Sequence, residues 1–199
     1  MIIFAVVILV IVAVVALLGF GNNDAPKDVT PALDANKTYY ADIVIKDYGS
    51  ITVQLDQKSA PITAANFVNL AQKGFYDGLT FHRIIEGFMM QGGAPKSQND
   101  AVDTIFGEFS ANGHSNPLKH ERGVISMARS NDMNSANSQF FIVHQTSPHL
   151  DGKYAAFGKV ISGLEVVDNI CESAIPTDGN GSIAAKDQPV ITSITIRIE

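Results

Sequence analysis

Cysteine is almost absent. Cys171 stands alone in 199 residues, so no disulfide forms within the chain and no cysteine-based zinc cluster can be built. Histidine offers no metal site either: His82, His114, His120, His144 and His149 are scattered, with no HxxxH or HxH pair. Positive charge is also scarce. Fourteen Lys and Arg face twenty Asp and Glu, for a net charge of -6. No basic stripe runs along the chain, which argues against nucleic acid as a partner. Charged residues are 17% of the total and hydrophobic ones 46%, the composition of a folded rather than a disordered chain. There is no internal repeat. The length fits one compact domain with a surplus at one end.

That surplus is the exception to the even composition. Met1–Phe20, MIIFAVVILVIVAVVALLGF, is apolar throughout and as long as the ~20 residues a membrane-spanning helix needs. A cleavable signal peptide has a basic n-region and an apolar core of ~7–15 residues. Here no Lys or Arg precedes the run, and Gly19 and Gly21 offer only a weak cleavage site. No cysteine lies there to carry a lipid. Residues 1–20 therefore read as an uncleaved membrane anchor. Few positive residues flank it, so orientation rests on little; the short N-terminal flank and the acidic segment that follows place the domain outside the cytoplasm. Residues 21–37, broken by Pro26 and Pro31, read as a polar linker, and the domain as 38–199.

Within the domain, short strands dominate. YADIVIKDYGSITVQL (40–55) is two alternating apolar/polar runs joined at Asp47-Tyr48-Gly49, a hairpin pattern. SAPITAANFVNLAQKGF (59–75) is helical: Pro61 suits the first turn, Phe67, Leu70, Ala71 and Phe75 recur at helical spacing, and Gly74 supplies the stop. GLEVVDNICESA (163–174) is a second helix with Leu164, Val167, Ile170 and Cys171 on one face, which makes Cys171 a core residue rather than a nucleophile. PVITSITIRI (189–198) is a closing strand. Many strands with two helices predict a closed antiparallel barrel capped by helices.

FHRIIEGFMMQGG (81–93) sets an arginine, a histidine and a glutamine into an apolar run. It reads as a hairpin turning at Glu86-Gly87. A two-residue loop pairs Arg83 with Met90; a three-residue loop, Glu86-Gly87-Phe88, pairs Arg83 with Gln91 and Ile85 with Met89. Opposed residues share a face, so the second register lets Gln91 accept a hydrogen bond from the guanidinium and orient it without neutralising it. Spacing alone leaves open an arginine that merely snorkels to solvent. SMARSNDMNSANSQFFIVHQ (126–145) is a polar Ser/Asn loop followed by an aromatic strand, and HLDGKYAAFGKV (149–160) is a turn at Asp151-Gly152 leading into another strand.

These three segments, in this order and spacing, resemble the signature segments of the cyclophilin family of peptidyl-prolyl cis-trans isomerases, and PITAANFVNLAQKGFYDGLTFHR and HERGVISMA resemble its flanking pieces. The resemblance runs from about Thr38 to Glu199. It implies a mainly β fold, a closed eight-stranded antiparallel barrel capped by two helices. It implies an isomerase acting on Xaa-Pro bonds of proline-containing polypeptides; such rotation breaks no bond and so requires no metal and no cofactor, and nothing in the sequence suggests more than a monomer. It makes Arg83 the catalytic arginine, Gln91 the residue that positions it, and Phe88, Met89, Phe141 and Leu150 the floor and walls of the proline pocket. Ala128 and the backbone of Arg129, with Gln139 beside them, match the segment that binds the peptide main chain. His82 is read as structural, not as a base.

Three departures stand out. His149 occupies a position where many members have a tryptophan that helps bind cyclosporin A, which argues against strong inhibition by it. Tyr154 occupies a position where many have histidine; its ring can still stack on proline. The loop Arg129–Asn137 is longer than in the common eukaryotic form and resembles bacterial members. Other readings of the same fold are a non-catalytic module that holds proline segments, or a membrane-tethered chaperone or scaffold; the retained Arg83 speaks against a pure binder.

Overall fold

The computed structural model describes residues 31–100 and 102–199. The alternating run at the start forms the expected hairpin. β1 (Tyr39–Ile45) and β2 (Gly49–Leu55) pair antiparallel, with Ala41, Ile43, Ile45, Ile51, Val53 and Leu55 turned into the core. The turn needs a left-handed residue, and Asp47 takes it at φ 65°, which its short polar side chain tolerates. Residues 33–37, read as the end of the linker, lie against this hairpin. Gln57 donates to the carbonyls of Asp34 and Lys37, and Leu33 packs on the core.

α1 (Pro61–Gln72) begins on its proline and ends at Lys73, where Gly74 at φ 67° turns the chain. Phe67 is its deepest residue. Its ring packs on Tyr76, Phe140 and Phe157 at 5.2–5.4 Å between centroids, aromatic contacts that add to the burial itself. No side chain of α1 caps its N-terminus. Glu108, fully buried, does so from 45 residues away, accepting from the amides of Ile62 and Thr63 and from the Thr63 hydroxyl.

The remaining elements are β3 (Phe81–Ile85), β4 (Met89–Gly92), β5 (Val124–Met127), β6 (Phe140–Val143), β7 (Ala156–Ser162), α2 (Leu164–Ser173) and β8 (Ile191–Ile198). α2 buries Val166, Val167, Ile170 and Cys171. Burial and the carboxylates nearby push the Cys171 thiol up to about 12, as a core residue requires and a nucleophile does not.

All pairs are antiparallel, in the order β3-β4-β6-β5-β7-β2-β1-β8. The expected closed barrel is not made: the sheet is an open half-barrel. Between β3 and β8 stands only the isolated bridge Thr80↔Val190. The outer edge of β3 is already occupied, because Ile84 donates to the Gly181 carbonyl and Ile183 to the His82 carbonyl. Pro189, at the foot of β8, has no amide to offer. Among the described residues no helix is long and apolar enough to cross a membrane, and the expected anchor, residues 1–20, lies outside them.

The sheet has two apolar faces. Met90, Phe140 and Ile142 point into the main core under the helices. Met89, Phe141 and Val143, their strand neighbours, point outward into a second cluster with Val124, Leu150 and Ala156. Strand alternation thus gives β4 and β6 a buried outer face as well.

Candidate active site

The outer cluster is built around the β3–β4 hairpin. Its register is the three-residue one: Arg83 opposes Gln91 and Ile85 opposes Met89. β6 then sets Phe141 beside Gln91. A β-bulge at His82 lies between Phe81, which faces Gly92, and Arg83. Without it Phe81 and Arg83, two residues apart, would share a face. With it Phe81 is fully buried in the main core while Arg83 points outward, the re-aiming that bulges perform beside functional sites.

A cavity of about 140 Å³ opens on this face. It brings together nine of the residues singled out from sequence: Arg83, Phe88, Met89, Gln91, Ala128, Arg129, Phe141, Leu150 and Tyr154. Two others do not line it. Gln139 borders an adjoining cavity of about 320 Å³, which shares Gln91, Ala128 and Arg129 with the first. His149 packs against Phe88 with its ring tilted, 5.3 Å between ring centroids. Tyr154 stands edge-on to Phe141 at 5.9 Å.

Arg83 is held from two sides. Its Nε donates to the Asn180 carbonyl at 2.7 Å, and Nη1 donates to Gln91 Oε1 at 3.3 Å. Gln91 in turn donates through Nε2 to Gln139 Oε1 at 3.0 Å. Among the described residues no carboxylate pairs with this guanidinium. Asn180 escapes sequence reasoning because it lies 97 residues from its partner. The loop carrying it is tightly made: Asp178 accepts from the amides of Asn180 and Ser182 and from the Ser182 hydroxyl. Gly181, at φ 84°, lies so close to β3 that a Cβ would stand 2.7 Å from the Ile84 carbonyl oxygen. Only glycine meets both conditions.

Two further histidines brace the cavity from behind. His120, fully buried, stacks on Phe141 at 6.0 Å. Its Nδ1 lies 3.1 Å from Asp151 Oδ1 and its Nε2 3.0 Å from Ser126 Oγ. The three residue types are those of a hydrolytic triad, but Ser126 has no exposed surface and no substrate can reach it. Burial lowers the His120 pKa and outweighs the pull of Asp151, so the ring is neutral. Burial alone would raise Asp151; the hydrogen bonds from the His120 amide and ring hold its carboxyl below the usual range. This pair ties the segment carrying Leu150 to the base of β5.

His144, also buried, accepts the Gly87 amide on Nδ1 at 3.0 Å and stands 3.3 Å from Asp168 Oδ1 through Nε2. Arg122 meets Asp168 with both terminal nitrogens, at 2.5 and 2.6 Å, and that contact holds the Asp168 carboxyl low. The chain Arg122–Asp168–His144 fixes the hairpin turn that ends on Phe88, whose carbonyl accepts the His144 amide at 2.9 Å. His82 does not enter the cavity. Burial first, then the charge of Arg83, lowers its pKa, and its Nδ1 has no partner among the described residues. That fits a structural residue at a bulge and not a base.

Residues 40–196 match the sequence profile of the family described as cyclophilin type peptidyl-prolyl cis-trans isomerase/CLD. Peptidyl-prolyl cis-trans isomerase B of Bacillus subtilis is 45% identical over 134 residues, 67% of this chain and 90% of that protein. The human peptidyl-prolyl cis-trans isomerase-like 3 is 43% identical over 125 residues, 62% of this chain and 77% of that protein. A Cryptosporidium parvum cyclophilin, solved in the presence of the dipeptide Ala-Pro, superposes with a TM-score of 0.67 at 30% identity, covering 79% of this chain and 98% of its own.

Proposed function

The chain belongs to the cyclophilin-type peptidyl-prolyl cis-trans isomerase family, and from that premise we propose that the outer cavity seats the proline of a polypeptide while Arg83 drives rotation about the bond before it. The barrier to that rotation is ~18–20 kcal/mol, because amide resonance gives the C–N bond partial double-bond character. Uncatalysed exchange takes tens to hundreds of seconds. No bond breaks, so the task is differential binding: hold the ring, and favour the twisted amide over the planar one.

The lining divides accordingly. Phe88, Met89, Phe141, Leu150 and Tyr154 supply an apolar seat for the pyrrolidine ring. Arg83 supplies the donor. When the amide twists, resonance is lost and the proline nitrogen becomes a better acceptor, so a fixed N–H aimed at it stabilises the twisted form more than either planar one. Gln91 and the Asn180 carbonyl hold the fork, and neither cancels its charge. Ala128 and the backbone of Arg129 meet the peptide main chain. The Ala128 amide is already donated to the Gln139 carbonyl at 2.9 Å, so its own carbonyl is the group left for the peptide. The observation that carries this reading is Arg83, doubly held and paired with no carboxylate among the described residues, lining one cavity with Phe88, Met89, Phe141, Leu150 and Tyr154. The test is cis/trans exchange of an Ala-Pro peptide followed by NMR at catalytic protein concentration. Acceleration is expected; an unchanged exchange rate contradicts the reading.

The apolar run at 1–20 supports a further proposal, that the domain works tethered to a membrane, outside the cytoplasm, on folding chains near its surface. The full chain is then expected to stay with membranes after alkaline carbonate washing and to be digested by protease added to the extracytoplasmic side. Release by carbonate, or protection from that protease, contradicts it.

A further inference from the structure

Arg129 stands where the two cavities meet and lines both. Its side chain is fixed. Nε donates to the Lys153 carbonyl at 2.9 Å and Nη1 to the Ser130 carbonyl at 2.8 Å. Cζ lies 4.8 Å from the centroid of the Tyr154 ring and 5.0 Å from that of Phe109. These contacts position the guanidinium without neutralising it: the oxygens are main-chain carbonyls, the rings are uncharged, and among the described residues no carboxylate pairs with it. Arg83, across the first cavity, is unpaired as well. Among the described residues, no Asp or Glu lines either cavity.

In a chain of net charge -6, the charged side chains that line these cavities are both cations; Asp132, in the same loop as Ser130 and Ser135, turns its carboxylate to the Asn134 amide. A cleft with low-dielectric walls and charge of one sign concentrates its field on whatever enters. The neighbours of Arg129 in the adjoining cavity, Ser130, Ser135, Asn137 and Gln139, are neutral and polar. They can hydrogen-bond a side chain but not discharge it. An extended chain advances at most ~3.3–3.6 Å per residue, so a residue one or two positions from a proline seated in the first cavity comes over the second. There the guanidinium is already locked, and a fork held in place loses little freedom on binding a carboxylate.

Resting on the reading of the first cavity as the proline site, we propose that Arg129 is a specificity-determining residue that selects polypeptides with Asp or Glu two positions before or after the proline. The simpler role is a prop for the Tyr154 ring. The two differ in what they predict. A prop alters all peptides alike; a selector alters the ratio between an acidic peptide and its neutral isostere.

The experiment compares Glu and Gln, placed two residues before or two after the proline, in otherwise identical peptides, with the full chain in detergent. At low ionic strength the Glu peptide is expected to be isomerised about three- to fivefold more efficiently than the Gln peptide at one of the two positions, the upper end of what an exposed ion pair gives. In about 1 M salt, where the screening length is ~3 Å, that ratio falls towards one. Arg129→Met, which keeps an apolar stem against the rings, brings the ratio to one at low salt; Arg129→Lys retains part of it. A ratio of one in the wild type at both positions, or an undiminished ratio in Arg129→Met or in high salt, overturns the proposal. Should Arg129→Met fail to fold by circular dichroism, the salt and lysine arms decide. Should no peptide be isomerised, the proline-site reading fails separately, and the Glu/Gln ratio of dissociation constants from NMR titration still decides whether Arg129 selects acid.

Discussion

Replacing Arg83 by alanine is expected to lower kcat/KM for an Xaa-Pro peptide by about 10²–10³-fold. The figure follows from losing one preorganised donor in a site partly screened from water, about 3–4 kcal/mol by analogy with oxyanion holes, at 1.36 kcal/mol for each factor of ten. Stability is expected to change little, by less than about 1 kcal/mol, since the side chain is only half-buried and its partners, the Asn180 carbonyl and Gln91, regain water. Arg83→Lys separates charge from geometry. It keeps the cation but not the fork, so it cannot reach the Asn180 carbonyl and Gln91 while offering a third N–H to a substrate. Its activity is expected to fall between alanine and wild type. An Arg83→Ala protein that folds and turns over like wild type contradicts the mechanism.

The largest expected effect on stability lies at Glu108, which does not line the cavity. Its carboxylate, with no surface exposed, accepts from two amides of the first turn of α1 and from the Thr63 hydroxyl, at 2.7–3.0 Å. The positive end of the helix is what makes a buried anion tolerable there. Glu108→Ala strips three donors of their acceptor, and the two of Thr63 are buried. At about 1–3 kcal/mol for each buried orphaned group, a loss of at least about 2 kcal/mol is expected in urea unfolding. Glu108→Gln keeps one acceptor oxygen but turns an NH₂ towards the remaining donors, so an intermediate loss is expected. A Glu108→Ala protein within about 0.5 kcal/mol of wild type shows that α1 finds its cap elsewhere.

What the sequence made legible was local. The β3–β4 hairpin was readable as two alternative registers, one for each turn length, and the structure takes the three-residue loop, in which Arg83 meets Gln91. α1 and α2 were readable from proline, glycine and apolar spacing. What stayed hidden depends on chain segments far apart or on departures from the period. The bulge at His82 breaks the alternation that sequence reasoning assumes, and it is what sends Arg83 outward. Asn180, His120 with Asp151, and Glu108 are joined to their partners across 97, 31 and 45 residues. Closure failed for a related reason: the segment Gly181–Ile183 takes the edge of β3 that β8 would have needed, and no pattern within β3 or β8 announces it. The pocket residues themselves were recovered through family resemblance rather than spacing, and Gln139 and His149 came out beside the cavity instead of within it.

Whether Arg83 acts on the twisted amide rather than on the bound ground state is decided by saturating the wild-type protein and Arg83→Ala with an isotope-labelled Ala-Pro peptide and measuring, by NMR exchange, both the cis/trans rate while bound and the dissociation constant. A bound-state rate at least about 100-fold lower is expected in the variant, with a dissociation constant changed by no more than about threefold. An unchanged bound-state rate, with the whole loss appearing in the dissociation constant, would make Arg83 a residue that merely holds the peptide, and would contradict action on the twisted amide.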